Sequence, residues 1–337
     1  MDPKTKSCQL SVVIISKNED GNIKGCIESI LTATGNIENT EIILADSAST
    51  DKTIDIALKY PIKIVQLNPK WPLSAAAGRY IGFLHSRGEY IQFQDADTVL
   101  YKDWLEHAIP VLAEDENLAG VVGTTTQEEY STRDARKYIE RIKLYEGTND
   151  TTEEIEWYAG NALLKRSVLE KVGAFNPYLL AGEEGELSYR IKQNGFKLLR
   201  IPYRMAHHLG YDEKFNIERE TRFTKSQGQI FRYSLENKNI FKLRLIEYKF
   251  KIFSFFLTMF FIFSLGVFLL SGQLSPFYFF IIGFFIYFSW IFYETRDLLC
   301  SMRHVVTQTI KCPVFLWGFL EPKKDPSVYP TDVKIIK

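Results

Sequence analysis

A stretch of 42 residues without one charged side chain, 252–293, constrains this sequence more than any other feature, and it holds 14 of the chain's 25 phenylalanines. Two apolar runs, 252–271 and 275–293, are separated only by Gly272-Gln273-Leu274. Each run has about the 20 residues that cross a bilayer as a helix, and a Gly-containing linker suits a tight turn. We therefore predict a transmembrane hairpin, because buried core helices, the alternative, seldom run this long without a charge.

Basic residues flank the predicted hairpin on both sides and are absent from its loop. They are Lys238, Lys242, Arg244, Lys249 and Lys251 before it, and Arg296, Arg303 and Lys311 after it. Because cytoplasmic loops collect Lys and Arg, both ends should face the cytosol. We expect a multi-pass protein of the cell membrane with its N-terminal domain on the cytosolic face.

The hairpin divides the rest of the chain. We expect a soluble domain at 1–235, a basic interfacial helix at 236–251 and a cytosolic tail at 294–337. Two segments, Phe241–Tyr248 and Pro313–Leu320, mix bulky apolar residues with basic or aromatic ones. This composition is typical of helices that lie in the headgroup layer, although ordinary surface helices would also account for it.

Composition disfavours several other classes of protein. Lys and Arg number 41 and are balanced by 41 Asp and Glu, so the chain has no basic field to hold nucleic acid. The four cysteines, at 8, 26, 300 and 312, have neither CxxC spacing nor a His cluster nearby. This disfavours a zinc site or a disulfide framework and suits a reducing compartment. The N-terminus lacks an apolar segment long enough for a signal peptide.

Apolar runs alternate with helix-like segments through the first hundred residues. The predicted strands are 10–15, 41–44, 62–66 and 90–93, and the predicted helices are 20–31, 51–58 and 73–86. This alternation predicts a doubly wound, mostly parallel α/β sheet with right-handed crossovers. Ligands of such sheets bind at the carboxyl ends of the strands, so the polar residues that follow each strand are the candidate site.

Carboxylates follow the second and fourth predicted strands. Asp46 can accept hydrogen bonds from a nucleotide base or ribose, whereas Asp51 is better explained as the cap of the next helix. Asp95 and Asp97 would be costly at the end of a buried strand unless they are neutralised. Mg²⁺ or Mn²⁺ bound to substrate phosphates would neutralise them.

The sequence contains neither GxGxxG nor GxxxxGK[ST], and this disfavours dinucleotide-binding and P-loop domains.

The order of these motifs resembles that of the inverting family 2 glycosyltransferases of GT-A fold. The resemblance covers about residues 10–210 and includes a later His pair. It is carried by SVVIISKNED, EIILADSASTDKT, AAAGRYIGFLHSRGEYIQFQDAD and GNALLKRSVLEKVGAFNPYLLAGEEGELSYRI. It implies a Rossmann-like nucleotide-diphospho-sugar transferase domain, a nucleotide-diphospho-sugar donor, preferably a UDP-sugar, and Mn²⁺ or Mg²⁺ as cofactor.

The resemblance also implies roles for individual residues. Asp46 would bind the nucleotide base, and Asp97, next to Asp95, would bind the metal most directly. His207 or His208 would supply a third metal ligand, with His208 favoured. The other positions implied in donor binding are Ser16, Lys17, Glu19, Ser49, Gly78, Arg79 and Asp95. Lys17 stands where the family often has an aromatic residue, and Tyr80 where it often has Asn.

Glu183 and Glu184 stand at the family's acidic base motif. Glu184 takes the base position, where Asp is common in the family. Independently of the resemblance, a carboxylate near like charges has a raised pKa, which suits a group that deprotonates a hydroxyl acceptor. The helix dipole also favours negative charge at a helix start, which would account for Glu183 and Glu186 without a catalytic role.

The expected function is transfer of a sugar to a hydroxyl of a lipid-linked saccharide acceptor in cell-surface glycan synthesis. One alternative is a polyprenyl-phosphate glycosyltransferase, but a phosphate acceptor needs no base, so the Glu183-Glu184 pair argues against it. A catalytically inactive membrane scaffold is the other alternative, and retention of Asp95 and Asp97 argues against that.

One further motif lies outside this resemblance. The segment Gln229-Ile230-Phe231-Arg232-Tyr233 resembles the QxxRW of processive synthases, and we interpret it as a chance match on an amphipathic helix.

Overall fold

The computed structural model describes residues 9–127, 151–209, 217–236 and 238–337. Cys8 and the N-terminal residues at which no signal peptide was expected lie outside these ranges. The chain forms two units: residues 1–215 together with 324–337, and residues 216–323.

One mixed sheet organises the first unit. Its described strands are β1 (Leu10–Ser16), β2 (Thr40–Asp46), β3 (Lys63–Gln66), β4 (Tyr90–Asp95), β5 (Thr98–Leu100), β6 (Leu118–Gln127), β7 (Glu153–Glu154), β8 (Ala162–Lys165), β9 (Lys197–His208) and β10 (Lys334–Ile335). Their order is β10-β3-β2-β1-β4-β8-β6-β9-β5, and β7 pairs with β9. The strands β3, β2, β1 and β4 are parallel, whereas β8 is antiparallel to both β4 and β6.

Helices connect the parallel strands. The described helices of this unit are α1 (Ile23–Ala33), α2 (Thr53–Ala57), α3 (Ala75–His85), α4 (Trp104–Glu114), α5 (Arg166–Val172) and α6 (Glu183–Gln193). The α/β fold predicted from the first hundred residues is confirmed, with each strand within a few residues of its expected bounds. The expectation of a mostly parallel sheet holds from β3 to β4, whereas most pairings beyond β4 are antiparallel and were not predicted. The regular alternation of strand and helix ends at β4, because β5 follows it directly without a helix between them.

Close packing of α3 on β1 sets the position of Arg79, one of the predicted site residues. A Cβ atom at Gly82 would lie 2.1 Å from Cγ1 of Val13, and one at Gly78 would lie 3.2 Å from Cγ2 of Ile15. The helix therefore approaches the sheet through glycines, so Gly78 serves helix–sheet packing. The next residue, Arg79, is buried at the carboxyl edge of the sheet.

The last residues of the chain belong to this first unit. β10 pairs antiparallel with β3, and the Tyr329 side chain is buried in a second core against Trp71, Tyr80 and Tyr178. The sequence-based division ended the soluble domain at residue 235 and treated 294–337 as a tail. It did not place these residues with the sheet, because a two-residue strand and one tyrosine form no recognisable pattern.

The second unit consists of helices. They are α7 (Ile217–Ser234), α8 (Lys238–Glu247), α9 (Lys249–Ser271), α10 (Ser275–Thr295) and α11 (Leu298–Leu320). By length and composition, α9 and α10 can cross a membrane, with mean hydropathies of 2.4 and 1.7. Only 11% of each apolar window is buried, whereas the core helix of a soluble protein is mostly buried. Gly272, at φ +69°, ends α9 in the left-handed conformation that glycine favours.

The helix α7 packs directly on α11. A Cβ atom at Gly228 would lie 2.0 Å from the carbonyl oxygen of Phe315, so the two backbones touch. Gln229 donates a hydrogen bond to Glu321 at 2.7 Å, and Arg232 donates one to the Phe319 carbonyl at 3.0 Å. The polar residues of the QxxRY segment therefore join two helices of this unit. The interfacial placement proposed for Phe241–Tyr248 and Pro313–Leu320 stays a prediction.

Candidate active site

Three predicted site residues meet at the carboxyl edge of the parallel strands. In the register of the sheet, Ser16 lies opposite Asp46, and Ile15 lies opposite Asp95. The ends of β1, β2 and β4 therefore bring Ser16, Asp46 and Asp95 together, as expected for a ligand site in a sheet of this kind.

Asp46 is the centre of a hydrogen-bonded turn. Its carboxylate is fully buried and accepts hydrogen bonds from Ser16 Oγ (3.0 Å), Ser49 N (2.8 Å), Ser49 Oγ (2.5 Å) and Gln66 Nε2 (3.0 Å). A nucleotide would reach Asp46 only by replacing one of these donors. Its role in base binding stays a prediction, and the Gln66 contact was missed because Gln66 carries no motif.

The turn after β1 holds two further predicted donor-binding residues, Lys17 and Glu19. Lys17 is exposed, and Glu19 is half-buried, where its carboxylate accepts a hydrogen bond from Asn22 at 2.8 Å. Burial raises the pKa of Glu19; the Asn22 hydrogen bond opposes this, and the negative charge of Asp97 adds to it. Asp51 accepts hydrogen bonds from the amide and the hydroxyl of Thr53, the first residue of α2. The N-cap position of α2 is Lys52, so Asp51 stabilises the turn before the helix and is not its cap as predicted.

Asp97 faces one member of the His pair. Nε2 of His208 lies 3.2 Å from Oδ2 of Asp97. His207 is turned elsewhere, with its Nδ1 atom 2.9 Å from Oγ1 of Thr126. The β5–β9 pairing sets this difference, because it places Thr98, the residue after Asp97, opposite His208.

The Asp97–His208 pair fits a metal that is shared with a substrate. Among the described residues, no group of three or more His, Cys, Asp or Glu side chains is placed to hold a metal ion. Mg²⁺ and Mn²⁺ commonly take only one or two protein ligands and complete their coordination with substrate phosphates and water. The Asp97 carboxylate is the type of ligand that Mg²⁺ and Mn²⁺ prefer, and a neutral His208 imidazole is a common further ligand to a metal ion.

Arg79 is the structural centre of the acidic residues. Its side chain is 2% exposed, with Nη2 2.8 Å from Asp95 Oδ1 and 3.2 Å from Glu184 Oε1, and Nη1 2.5 Å from Glu183 Oε1. Burial alone would lower the pKa of Arg79, but the surrounding carboxylates raise it. The sequence predicted that Arg79 binds the donor. In the structure its guanidinium instead contacts three carboxylates of the protein itself.

Glu183 and Glu184 begin α6 but occupy different surroundings. Gly182, at φ +72°, turns the chain into the helix, and Glu183 is then buried against Arg79. Burial raises the pKa of Glu183; the charge of Glu184 adds to this and Arg79 opposes it. Glu184 keeps 15% of its side chain exposed and accepts a hydrogen bond from the amide of Gly160 at 3.1 Å. Of the two, Glu184 is the one that can meet a substrate.

The segment before β8 also belongs to the site. Gly160, at φ +68°, passes so close that a Cβ atom there would lie 3.2 Å from Asp95 Oδ2. The Asn161 side chain accepts a hydrogen bond from the Asp95 amide at 2.8 Å and donates one to Thr98 at 3.1 Å. Sequence reasoning assigned no role to these residues, although the adjacent Gly and Asn at the start of a strand were visible.

Comparison with known families identifies the sheet domain. Residues 11–173 match the profile of Glycosyl transferase family 2. The chain carries a family 2 glycosyltransferase domain.

Relatives of this glycosyltransferase domain include proteins of surface-polymer synthesis. The chain is 27% identical over 199 residues to the succinoglycan biosynthesis protein ExoA of Rhizobium meliloti (strain 1021), covering 56% of this chain and 59% of the relative. It is 30% identical over 126 residues to the minor teichoic acid biosynthesis protein GgaB of Bacillus subtilis (strain 168), covering 36% of this chain and 14% of the relative. The matches therefore span less than two thirds of these relatives.

A solved structure shows the same fold as this chain. The mannosyltransferase PcManGT from Pyrobaculum calidifontis, in complex with GDP-Man and Mn²⁺, superposes with a TM-score of 0.56 at 17% identity. The match covers 92% of this chain and 88% of that protein. At this identity the likeness concerns the fold, and it agrees with the GT-A fold expected from the sequence.

Proposed function

We propose that the protein is a membrane-anchored inverting glycosyltransferase that uses a nucleotide-diphospho-sugar and a divalent metal. Its acceptor would be a hydroxyl of a lipid-linked saccharide in cell-surface glycan synthesis. The observation that carries this proposal is the position of Glu184, which is partly exposed and shares Arg79 with Asp95 of the DxD motif.

The chain's own residues suggest how the transfer would proceed. Asp97 and His208 would hold a metal against the donor, where a bound Mn²⁺ or Mg²⁺ would stabilise the negative charge of the departing diphosphate. Glu184 would take the proton of the acceptor hydroxyl as that oxygen attacks the anomeric carbon. The bond from the anomeric carbon to the diphosphate oxygen breaks, the nucleoside diphosphate leaves, and the proton remains on Glu184.

The relatives support the donor and the setting. ExoA and GgaB are named for succinoglycan and minor teichoic acid biosynthesis, both of which are polymer syntheses. The PcManGT structure contains GDP-Man and Mn²⁺, which supports a nucleotide sugar and a metal. We keep UDP-sugars as the preferred donors and take GDP-mannose as the first competitor to test.

Chain connectivity supports the membrane topology. The residues before 216 and after 323 fold into the same unit, so both ends of the helical unit lie on one side of any membrane. An even number of crossings is then required, and α9 and α10 supply two. Because Lys and Arg flank these helices on both sides, we propose that the glycosyltransferase domain faces the cytosol.

One experiment tests the donor and the metal together. The full chain in detergent is heated with UDP-glucose, UDP-galactose, UDP-N-acetylglucosamine or GDP-mannose, each with and without Mn²⁺. A bound donor raises the unfolding temperature by mass action, and we expect at least one nucleotide sugar to do so only with Mn²⁺. The absence of any metal-dependent shift or donor turnover would favour an inactive scaffold.

The nature of the acceptor is tested through the base. Transfer to a polyprenyl phosphate that survives Glu184→Gln would favour the phosphate-acceptor alternative, because an ionised phosphate needs no deprotonation. We expect transfer to a saccharide hydroxyl to be lost in the same variant.

A further inference from the structure

One buried guanidinium joins the donor side and the acceptor side of the candidate site. The Nη2 atom of Arg79 contacts both Asp95 (2.8 Å) and Glu184 (3.2 Å), and its Nη1 atom contacts Glu183 (2.5 Å). Asp95 belongs to the DxD motif after β4, whereas the two glutamates begin α6. Arg79 is therefore a direct link between the DxD motif and the base motif.

The geometry requires an arginine at this position. A guanidinium is planar and offers five N–H donors in a fixed fork, so one side chain can serve several carboxylates in set directions. A lysine ammonium is a single point on a flexible stem and cannot reproduce this fork. The Phe175 ring lies 5.6 Å from the centre of the guanidinium, which further restricts the position of Arg79.

Burial keeps Arg79 away from the substrates. With 2% of its side chain exposed, it cannot contact a donor phosphate or an acceptor sugar without rearrangement. Its carboxylate partners are more accessible, since 30% of the Asp95 side chain and 15% of the Glu184 side chain are exposed. Any effect of Arg79 on transfer should therefore act through these two side chains.

We propose that Arg79 is a positioning residue that holds the Glu184 carboxylate at a fixed place relative to Asp95, so that the attacking hydroxyl is aligned with the donor. This proposal rests on the proposed function. A misplacement of about 1 Å in a catalytic group can cost about a hundredfold in rate. Loss of the Arg79 fork should therefore lower kcat while affecting donor binding much less.

The test compares Arg79→Lys with Arg190→Lys in the full chain. Arg190 also lies on α6, where it pairs with Glu186 at 2.7 Å and donates hydrogen bonds to the carbonyls of Val172 and Ala174, both at 2.8 Å. It makes none of the Arg79 contacts, so it controls for the loss of a guanidinium in this region. Turnover is measured with Mn²⁺ and the nucleotide sugar selected by the thermal panel, with water as acceptor, and binding with UDP and Mn²⁺.

We expect Arg79→Lys to lower kcat about a hundredfold and to change the Mn²⁺-dependent affinity for UDP far less. Arg190→Lys should leave kcat within about threefold of the parent, well short of the change expected from misplacing a catalytic group. In a Glu184→Gln background, Arg79→Lys should have little additional effect on kcat, because the group that it positions is already disabled. The proposal would be overturned if the effects of Arg79→Lys and Glu184→Gln on log kcat were additive in the double variant. It would also be overturned if Arg79→Lys left kcat unchanged.

A measurement without substrate separates this proposal from the proposed function. Arg79→Lys should lower the unfolding temperature of the ligand-free chain, and adding Glu183→Gln should restore part of it by removing one buried charge. This double variant also serves for the kcat comparison if Arg79→Lys alone does not fold. If Glu184→Gln leaves turnover unchanged, the proposed base is wrong. If Glu184→Gln abolishes turnover and both Arg79 variants retain it, only the positioning role is wrong.

Discussion

The hydroxyl of Tyr329 donates a hydrogen bond of 2.7 Å to the carbonyl of Pro72, which lies 257 residues earlier in the chain. The helical unit, 216–323, lies between them in the sequence, yet both residues belong to the unit that contains the sheet. The same C-terminal segment adds β10 beside β3, and Lys337 donates hydrogen bonds to the carbonyls of Leu58 and Tyr60. The glycosyltransferase domain is therefore completed by residues that follow the proposed membrane hairpin.

Deletion of residues 324–337 should destabilise the glycosyltransferase domain. The deletion exposes the second core, and Tyr329→Ala alone should cost about 3–5 kcal/mol by leaving a cavity. Tyr329→Phe should cost only about 1 kcal/mol, the net worth of one hydrogen bond. Thermal unfolding in detergent checks this, with Val328→Ala as a control because Val328 is exposed.

Truncation near residue 240, where the sequence alone would end a soluble domain, should fail for the same reason. Residues 1–215 joined by a flexible linker to 324–337 should instead give a folded domain. A stable, soluble domain without 324–337 would contradict this account of the C-terminal segment.

Asp97→Asn should abolish turnover and Mn²⁺-dependent donor binding while leaving the fold intact. Asp97 is partly exposed and faces His208, so removing its charge takes away a proposed metal ligand without emptying a core. Titration of UDP with and without Mn²⁺ measures the effect. Asp103→Asn, at an exposed position before α4, is the control. If Asp97→Asn kept a near-normal Mn²⁺-dependent affinity for UDP, the proposal that Asp97 is a metal ligand would be wrong.

Gly228→Ala should destabilise the helical unit by about 1–3 kcal/mol, the usual cost of overpacking. The added methyl would collide with the Phe315 carbonyl, and a backbone atom cannot move aside as a flexible side chain can. Gly266→Ala in α9 is the matched control, because a Cβ atom there meets nothing within 4 Å. Equal unfolding temperatures for the two variants would show that α7 and α11 do not pack as described.

Periodic features were predictable from the sequence and pairwise contacts were not. The strands that end at Ser16, Asp46 and Asp95 could be located because apolar runs alternate with helices, and the polar residues after them marked the site edge. The inward direction of Arg79 was not predictable, since it depends on how closely α3 approaches β1. The attachment of Tyr329 depends on a contact between residues that lie far apart in the chain, which no local pattern encodes.

The different surroundings of Glu183 and Glu184 also required the structure. Both lie in the first turn of α6, where the helix dipole favours carboxylates, so the sequence could rank them only by resemblance. Glu183 is buried against Arg79, so Glu183→Gln disturbs an ion pair. Glu186 is a better control for the proposed base, since it pairs with Arg190 on the same helix.

The most direct test of the central claim is kcat for Glu184→Gln beside Glu186→Gln, measured with Mn²⁺ and the selected donor. If Glu184 is the base, Glu184→Gln should lower kcat by about 10² to 10⁴, the usual worth of general base catalysis. The Mn²⁺-dependent affinity for UDP should be unchanged in both variants, and Glu186→Gln should retain most of its activity. Wild-type kcat in Glu184→Gln, with the donor still bound, would contradict the account.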